Sequence, residues 1–274
     1  MAITDLLKVP GAQLYYEVRG SGPVLLLIVG GNGDAGTFTQ AAKLLADRYT
    51  VITYERRGFF RSPLDGPVPE NRIETDAQDA DRLLGHFTDE PAYVFGSSSG
   101  AIVALDLTVR HPARIRTVVA HEPPLFTLLP DAEHWRSFIN DVYQTYRAEG
   151  VQPAMKEFGA EMGMPNVGQR AISGVMPPEM AEMAKRIPHN LKFWLDNELR
   201  QYPSYVPDVA ALTALSDRIV LAAGLDGKAN PPYQPNTVLA EQFGSTIANF
   251  AGGHVGYLTH PAEFAARLHD VLAS

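Results

Sequence analysis

The chain has 274 residues, 45% hydrophobic and 20% charged, the balance of a core-forming protein and not of a disordered one. A net charge of −8 without any basic run argues against nucleic acid or an anionic membrane surface as a partner, and zero cysteines exclude disulfides, thiolate metal sites and a cysteine nucleophile. The longest apolar run, Val24 to Val29, falls far short of the roughly 18 residues of a membrane span, and MAITDLLKVPGAQ has no signal-peptide h-region, so the expected location is cytoplasmic.

Gln13 to Val18 (QLYYEV) reads as one arm of an early hairpin, with turn chemistry behind it in Gly20-Ser21-Gly22-Pro23. Val24 to Val29 (VLLLIV), followed by Gly30, is the continuous apolar run of a strand buried on both faces. Phe38 to Tyr49 has helical spacing, with Ala41, Leu44 and Leu45 on one face. Thr50 to Tyr54 suits a short strand and Thr75 to Phe87 a helix. Ala92 to Phe95, Ala101 to Arg110 and Ile115 to Ala120 then read as strand, helix and strand. This alternation predicts an α/β protein with a mostly parallel sheet flanked by helices.

The rhythm stops at Glu122-Pro123-Pro124. From Leu125 to Val209 the pattern is helical. Trp135, Phe138, Ile139, Val142, Tyr143 and Tyr146 recur at helical spacing before Gly150. Further helices are expected at Pro153 to Met162, Pro178 to Lys185 and Asn190 to Arg200. A strand returns at Arg218 to Ala223 (RIVLAA). A helix at Thr237 to Phe243, a strand at Thr246 to Phe250 and a helix at Pro261 to Leu272 complete the chain. The simplest organisation is one core domain, residues 1–124 and 210–274, with a helical cap at 125–209. Six of the seven methionines, Met155, Met162, Met164, Met176, Met180 and Met183, fall in that cap. Methionine fills gaps in loosely packed layers and also lines surfaces that accept varied apolar ligands. Met155, Trp194 and Tyr202 are the candidates for a pocket wall, against the plainer role of core packing.

Gly96-Ser97-Ser98-Ser99-Gly100 follows the strand AYVF and precedes the helix AIVALDL. This is G-x-S-x-G in the strand–turn–helix setting of a nucleophile elbow. Only Ser98 has a glycine two residues away on each side, which makes it the candidate nucleophile. A serine hydroxyl needs a base at neutral pH, and His254, in Gly252-Gly253-His254 after the last strand, is placed to reach the same sheet edge. His86 and His269 fall in helices, His111 precedes Pro112, and His134 and His189 lie in the cap. His121 ends a strand and could line the site, and His260 begins the last helix. Two carboxylates could orient the imidazole: Asp226, after RIVLAAG, and Glu122, after RTVVAH. An oxyanion hole needs two backbone N–H groups. Ser99, following the nucleophile, supplies one, and the loop Gly30-Gly31-Asn32-Gly33 the other, with Gly31 preferred over Asn32.

The loop GGNG, the segment ERRGFFRS, the elbow GSSSG and the ending GGHVGYLTHPAEF together resemble the α/β-hydrolase superfamily over nearly the whole chain. Within it the chain is similar to the zearalenone lactonases, through Ser98-Ser99-Gly100, His111-Pro112-Ala113-Arg114-Ile115 and His121-Glu122-Pro123-Pro124. In those lactonases the glutamate of the HE-x-P segment is the triad acid. The resemblance therefore favours Glu122, which stands 24 residues after Ser98. It also departs from them, because they lack an acid where Asp226 stands, and the cap matches poorly. The resemblance implies a serine hydrolase acting on an ester or lactone of a hydrophobic small molecule. It implies no cofactor and no metal, and the protein would work as a monomer or homodimer.

Gly31-Asn32-Gly33-Asp34-Ala35-Gly36 also spells G-x-G-x-x-G, with Glu55 ending the next strand 19 residues on, as in a dinucleotide-binding fingerprint. That reading leaves GSSSG and His254 unexplained and puts the fingerprint after a hairpin. Two further alternatives keep the scaffold: a non-hydrolytic or C–C bond-cleaving enzyme, and a ligand-binding protein with a silent triad. Arg56 and Arg57 read as structural ion-pair partners.

Overall fold

The computed structural model describes residues 2–164 and 178–273, so Met176 lies outside the described residues. Among them, eight strands build one sheet: β1 (Ile3–Val9), β2 (Ala12–Arg19), β3 (Val24–Ile28), β4 (Thr50–Tyr54), β5 (Ala92–Ser97), β6 (Ile115–His121), β7 (Ile219–Gly224) and β8 (Ala248–Phe250). Their order is β1-β2-β4-β3-β5-β6-β7-β8. β1 with β2 and β2 with β4 are antiparallel. Every pairing from β4 onward is parallel. The helices are α1 (Thr39–Leu45), α2 (Arg72–Phe87), α3 (Ser99–Arg110), α4 (Ala132–Glu149), α5 (Val151–Glu161), α6 (Pro178–Asn197), α7 (Val209–Ala214), α8 (Gln234–Phe243), α9 (Gly256–Thr259) and α10 (Pro261–Ala273).

The period of two along a strand divides the core into two layers. Leu26 and Ile28 of β3 pack with Ala80 and Leu84 of α2 and Val103 and Leu107 of α3. Leu25 and Leu27 face the other way, onto Ala41 and Leu45 of α1 and Phe264 and Leu268 of α10. The chain therefore leaves β3 toward one face and β5 toward the other. Open α/β sheets place their ligands at such a divergence, outside the carboxyl ends of neighbouring strands.

Three elements differ from the sequence reading, each for a physical reason. β1 is the other arm of the expected early hairpin, an arm to which the sequence assigns no bounds because most of its residues are exposed. It is held by its ladder to β2, from Ile3 opposite Val18 to Val9 opposite Ala12, and not by burial. The two helices expected around Pro178 to Lys185 and Asn190 to Arg200 are one helix, α6, with Pro188 inside it. Proline removes one backbone donor, but the apolar face through Trp194 and Leu195 stays buried and carries the helix past it. Phe38 to Tyr49 is shorter than expected: a 3-10 turn at Ala35–Phe38 leads into α1, which ends at Leu45.

Helices α4, α5 and α6 lie between β6 and β7. Ile139, Val142, Ala154, Trp194, Leu195 and Leu199 pack around Phe59, which belongs to the segment after β4. A second cluster joins Phe126, Trp135 and Met162. Phe59 is thus one anchor of the insertion on the sheet domain, and Leu125 and Tyr202 of the insertion join the core of the sheet itself.

Two close approaches fix the elbow. A Cβ on Gly100 would sit 2.3 Å from the carbonyl oxygen of Ile28, and one on Gly96 would sit 2.3 Å from that of Gly100. Backbone cannot yield there as a flexible side chain would. Gly100→Ala should lower unfolding stability by about 1–3 kcal/mol, read from the urea midpoint. An unchanged midpoint would contradict this packing of α3 on β3.

Candidate active site

Ser98 sits between the end of β5 and the start of α3 with φ 56° and ψ −128°. Glu122, just after β6, has φ 48°. Among the described residues these are the only non-glycine positions in the left-handed region. Such strain costs on the order of 1–3 kcal/mol and collects at functional sites. The Ser98 N–H donates to the carbonyl of His121 at 2.9 Å, which ties the elbow to the end of β6. The Ser98 side chain is partly exposed, and its hydroxyl makes no hydrogen bond among the described residues.

Glu122 and His254 are brought together. The Glu122 N–H donates to the Ala222 carbonyl at 3.0 Å, which stitches β6 to β7. One carboxylate oxygen accepts from the Gly224 N–H at 2.8 Å. The other meets Nδ1 of His254 at 2.5 Å. The Glu122 side chain is 2% exposed and that of His254 11%. Burial opposes ionisation of Glu122, but the His254 hydrogen bond, the neighbouring imidazoles and the Gly224 N–H outweigh it and hold the carboxyl below its usual range. A buried carboxylate on Nδ1 fixes the tautomer and leaves Nε2 free to take a proton. Asp226 is placed differently. It is exposed, its N–H donates to the Gly252 carbonyl at 3.0 Å, and its carboxylate makes no hydrogen bond or ion pair among the described residues.

The loop after β3 presses on the elbow. A Cβ on Gly30 would lie 2.8 Å from Cβ of Ser98, so only glycine lets the two chains approach. The Gly33 N–H closes a turn on the Gly30 carbonyl at 3.0 Å. The Asn32 side chain braces the loop, donating to Thr37 at 2.9 Å and accepting from the Asp34 N–H at 3.2 Å. The N–H groups of Gly31 and Asn32 donate no hydrogen bond among the described residues. That of Ser99 belongs to the first turn of α3, where no intrahelical acceptor exists.

The three pocket candidates separate. Trp194 lies against the Gly31 loop, with its indole Nε1 2.6 Å from where a Gly31 Cβ would be. Met155 packs into the cluster of the insertion around Phe59 and Trp194. Tyr202, read from the sequence as a pocket residue, lies in the interior and not on a pocket wall. It is 1% exposed, and its hydroxyl donates to Asp76 at 2.5 Å and accepts from Arg56 at 2.9 Å.

That hydroxyl belongs to an ion cluster the sequence reading did not assemble. Arg56 and Arg72 meet Asp76 and Glu198, all with fully buried side chains. The available signal was Glu198 itself, a charged residue four positions after buried Trp194 at the end of an apolar helix face, since such a group is buried only with a partner. Arg57 pairs with Asp79 at 2.7 Å. Glu55, which a dinucleotide reading would give to a ribose, is engaged by the backbone and guanidinium of Arg61 at 2.7 Å. Among the described residues no group of three or more His, Asp or Glu is placed to hold a metal ion, and no helix is long and apolar enough to cross a membrane.

Comparison with known proteins identifies the fold family. Residues 23–261 match the family model described as the alpha/beta hydrolase fold. The uncharacterized hydrolase YraK of Bacillus subtilis is 38% identical, over 97% of this chain and 94% of its own. A zearalenone hydrolase of Bionectria ochroleuca is 28% identical, over 93% and 92%. Among solved structures, a thermophilic esterase from Thermogutta terrifontis superposes with a TM-score of 0.74 at 19% identity, over 100% of this chain and 98% of that one. This last likeness shows the shared fold.

His121 carries a prediction of its own. It is fully buried between Phe95, Phe250, Tyr257 and the His254 ring, beside Glu122. Neither ring nitrogen has a partner among the described residues. Burial pushes its pKa down from 6.5 to about 4, past the opposing pull of Glu122. The unfolded chain therefore takes up this proton first, and stability is lost as pH falls from about 6.5 to about 4. The loss is about 3 kcal/mol for a shift of this size. Urea unfolding of His121→Leu should lack this part of the acid decline, and a decline parallel to the native protein's would contradict it.

Proposed function

From the premise that the chain belongs to the alpha/beta hydrolase fold family, we propose that it is a serine hydrolase cleaving an ester or lactone of a hydrophobic small molecule. The observation that carries this reading is the buried Glu122–His254 hydrogen bond at 2.5 Å, at the sheet edge that bears the strained Ser98 elbow. The relative that acts on zearalenone supports a lactone, and a zearalenone-type macrolactone is the first substrate to try. The insertion, residues 125–209, serves as the cap that selects the substrate.

In this reading Ser98 Oγ attacks the carbonyl carbon while Nε2 of His254 takes its proton. Glu122 holds the Nδ1–H and stabilises the imidazolium so formed. The N–H groups of Gly31 and Ser99 receive the charge that develops on the carbonyl oxygen, with Asn32 next to Gly31 in the same loop. Collapse returns the proton to the leaving alkoxide and leaves an acyl-enzyme. Water then adds to the acyl carbon, with His254 again as base, and the acid leaves. With a lactone, alcohol and acid stay in one molecule, heavier than the substrate by one water.

Incubation with zearalenone, followed by liquid chromatography and mass spectrometry, should yield that product with the native protein and not with Ser98→Ala. A panel of p-nitrophenyl esters extends the test to other acyl groups. Ser98→Ala and His254→Ala should each lower kcat by about 10⁴–10⁶-fold. Glu122→Gln should lower it by about 10³-fold or more, and Asp226→Asn by less than about twofold. An inactive Asp226→Asn beside an active Glu122→Gln would overturn the choice of acid. No turnover of any ester or lactone would overturn the hydrolase reading.

A further inference from the structure

Arg56 follows β4 and is 1% exposed. Its Nε donates to the Val29 carbonyl at 3.3 Å, and its Nη2 to the Gly30 carbonyl at 3.2 Å and to the Ser99 hydroxyl at 3.4 Å. One guanidinium thus touches both chain segments that would supply the oxyanion donors. Its fork is gripped by Glu198, just beyond the end of α6, through Nη1 to Oε1 at 2.7 Å and Nη2 to Oε2 at 2.8 Å. Asp76 and Tyr202 hold Nη1 from a second side, at 2.8 and 2.9 Å. Burial works against the charge of Arg56, but Glu198, Tyr202 and Asp76 outweigh it and keep the guanidinium ionised.

The geometry of the peptide unit gives this contact its consequence. A trans peptide is planar, so the carbonyl of Gly30 and the N–H of Gly31 point in opposite directions. Holding the oxygen fixes the direction of the hydrogen. A cation on the carbonyl oxygen also polarises the unit and makes the N–H a stronger donor. We propose that Arg56, locked in place by Glu198 of the helical insertion, is the positioning residue that aims the Gly31 arm of the oxyanion hole. The insertion then contributes to the rate of the chemical step and not only to substrate selection. This rests on the serine-hydrolase reading above.

A second ion pair points the same way. Arg186 of α6 grips Asp34 through Nε and Nη2, at 2.6 and 2.9 Å, at the far end of the same loop. The loop from Gly30 to Asp34 is therefore held from the insertion at both of its ends.

The test compares Glu198→Gln, which keeps an acceptor and removes the charge, with Arg56→Lys, which keeps the charge and removes the fork. Asp79→Asn is the control. It breaks the equally buried pair with Arg57, which has no contact with the hole. On p-nitrophenyl butyrate, Glu198→Gln and Arg56→Lys should lower kcat by about 10–100-fold with KM within about threefold, since one oxyanion donor is worth about 10²–10³-fold. Asp79→Asn should lower the thermal midpoint as much, with kcat within about twofold. The second readout is independent of activity. The Gly33 amide, bonded to the Gly30 carbonyl, should exchange with deuterium about tenfold faster in Glu198→Gln when followed by NMR. Folded Glu198→Gln and Arg56→Lys with native kcat would overturn the proposal. So would an equal loss of kcat in Asp79→Asn at matched stability. If the native protein cleaves no ester, faster Gly33 exchange still upholds the positioning by Arg56 while the hydrolase reading fails, and unchanged exchange defeats both.

Discussion

A carboxylate on a side chain 2% exposed survives in a protein interior only if both of its oxygens are paired. Glu122 meets that demand with the Gly224 N–H on one side and His254 on the other. The demand reaches outward through the fold. To present the carboxylate, the chain turns through a left-handed φ right after β6. To receive it, β7 must sit in register beside β6, with His121 opposite Ala222, and the turn after β8 must bring His254 back over the sheet edge. The elbow hangs on the same strand end, since the Ser98 N–H donates to the His121 carbonyl. One buried negative charge thus orders three strand ends around one point.

The elbow was legible in the sequence because its signal is local: a strand, two glycines at fixed offsets and a helix, all within Ala92 to Arg110. The carboxylate partner of His254 was favoured only through the family resemblance and not from local pattern, because such a pairing is defined by reach in space. Glu122 and Asp226 both follow strands, and nothing local tells the buried one from the exposed one. The bounds of the edge strand β1, the second arm of the early hairpin, were illegible for the opposite reason, since it has little burial pattern to read. Tyr202 looked like a pocket aromatic, but aromatic spacing cannot reveal that its hydroxyl is held by Asp76 and Arg56. The partners Arg56 and Glu198 stand 142 residues apart, beyond any pattern of helical or strand period. Local chemistry was therefore readable, and long-range pairing was readable only as a charged residue on an apolar face that required a partner.

The insertion is held to the sheet domain by contacts of two kinds. Phe59, Phe193 and Trp194 supply apolar and aromatic packing. The buried pairs of Glu198 and the partly buried pair of Arg186 with Asp34 supply direction, because a bidentate fork tolerates little rotation. Ion pairs this deep add little net stability over apolar packing of the same volume, and losing one partner is expensive. Their placement against the Gly30 to Asp34 loop accounts for them better than stability does. An enzyme that builds its oxyanion hole from a glycine loop needs that loop held still, and glycine alone does not hold it.

The central claim is that Ser98 is a nucleophile activated by the Glu122–His254 pair. The most direct measurement is treatment of the native protein with a fluorophosphonate, followed by peptide mass spectrometry. The account predicts a single covalent adduct on Ser98, formed at a rate that collapses in His254→Ala and Glu122→Gln. An unmodified Ser98, or an adduct on Ser97 or Ser99 in its place, would contradict it.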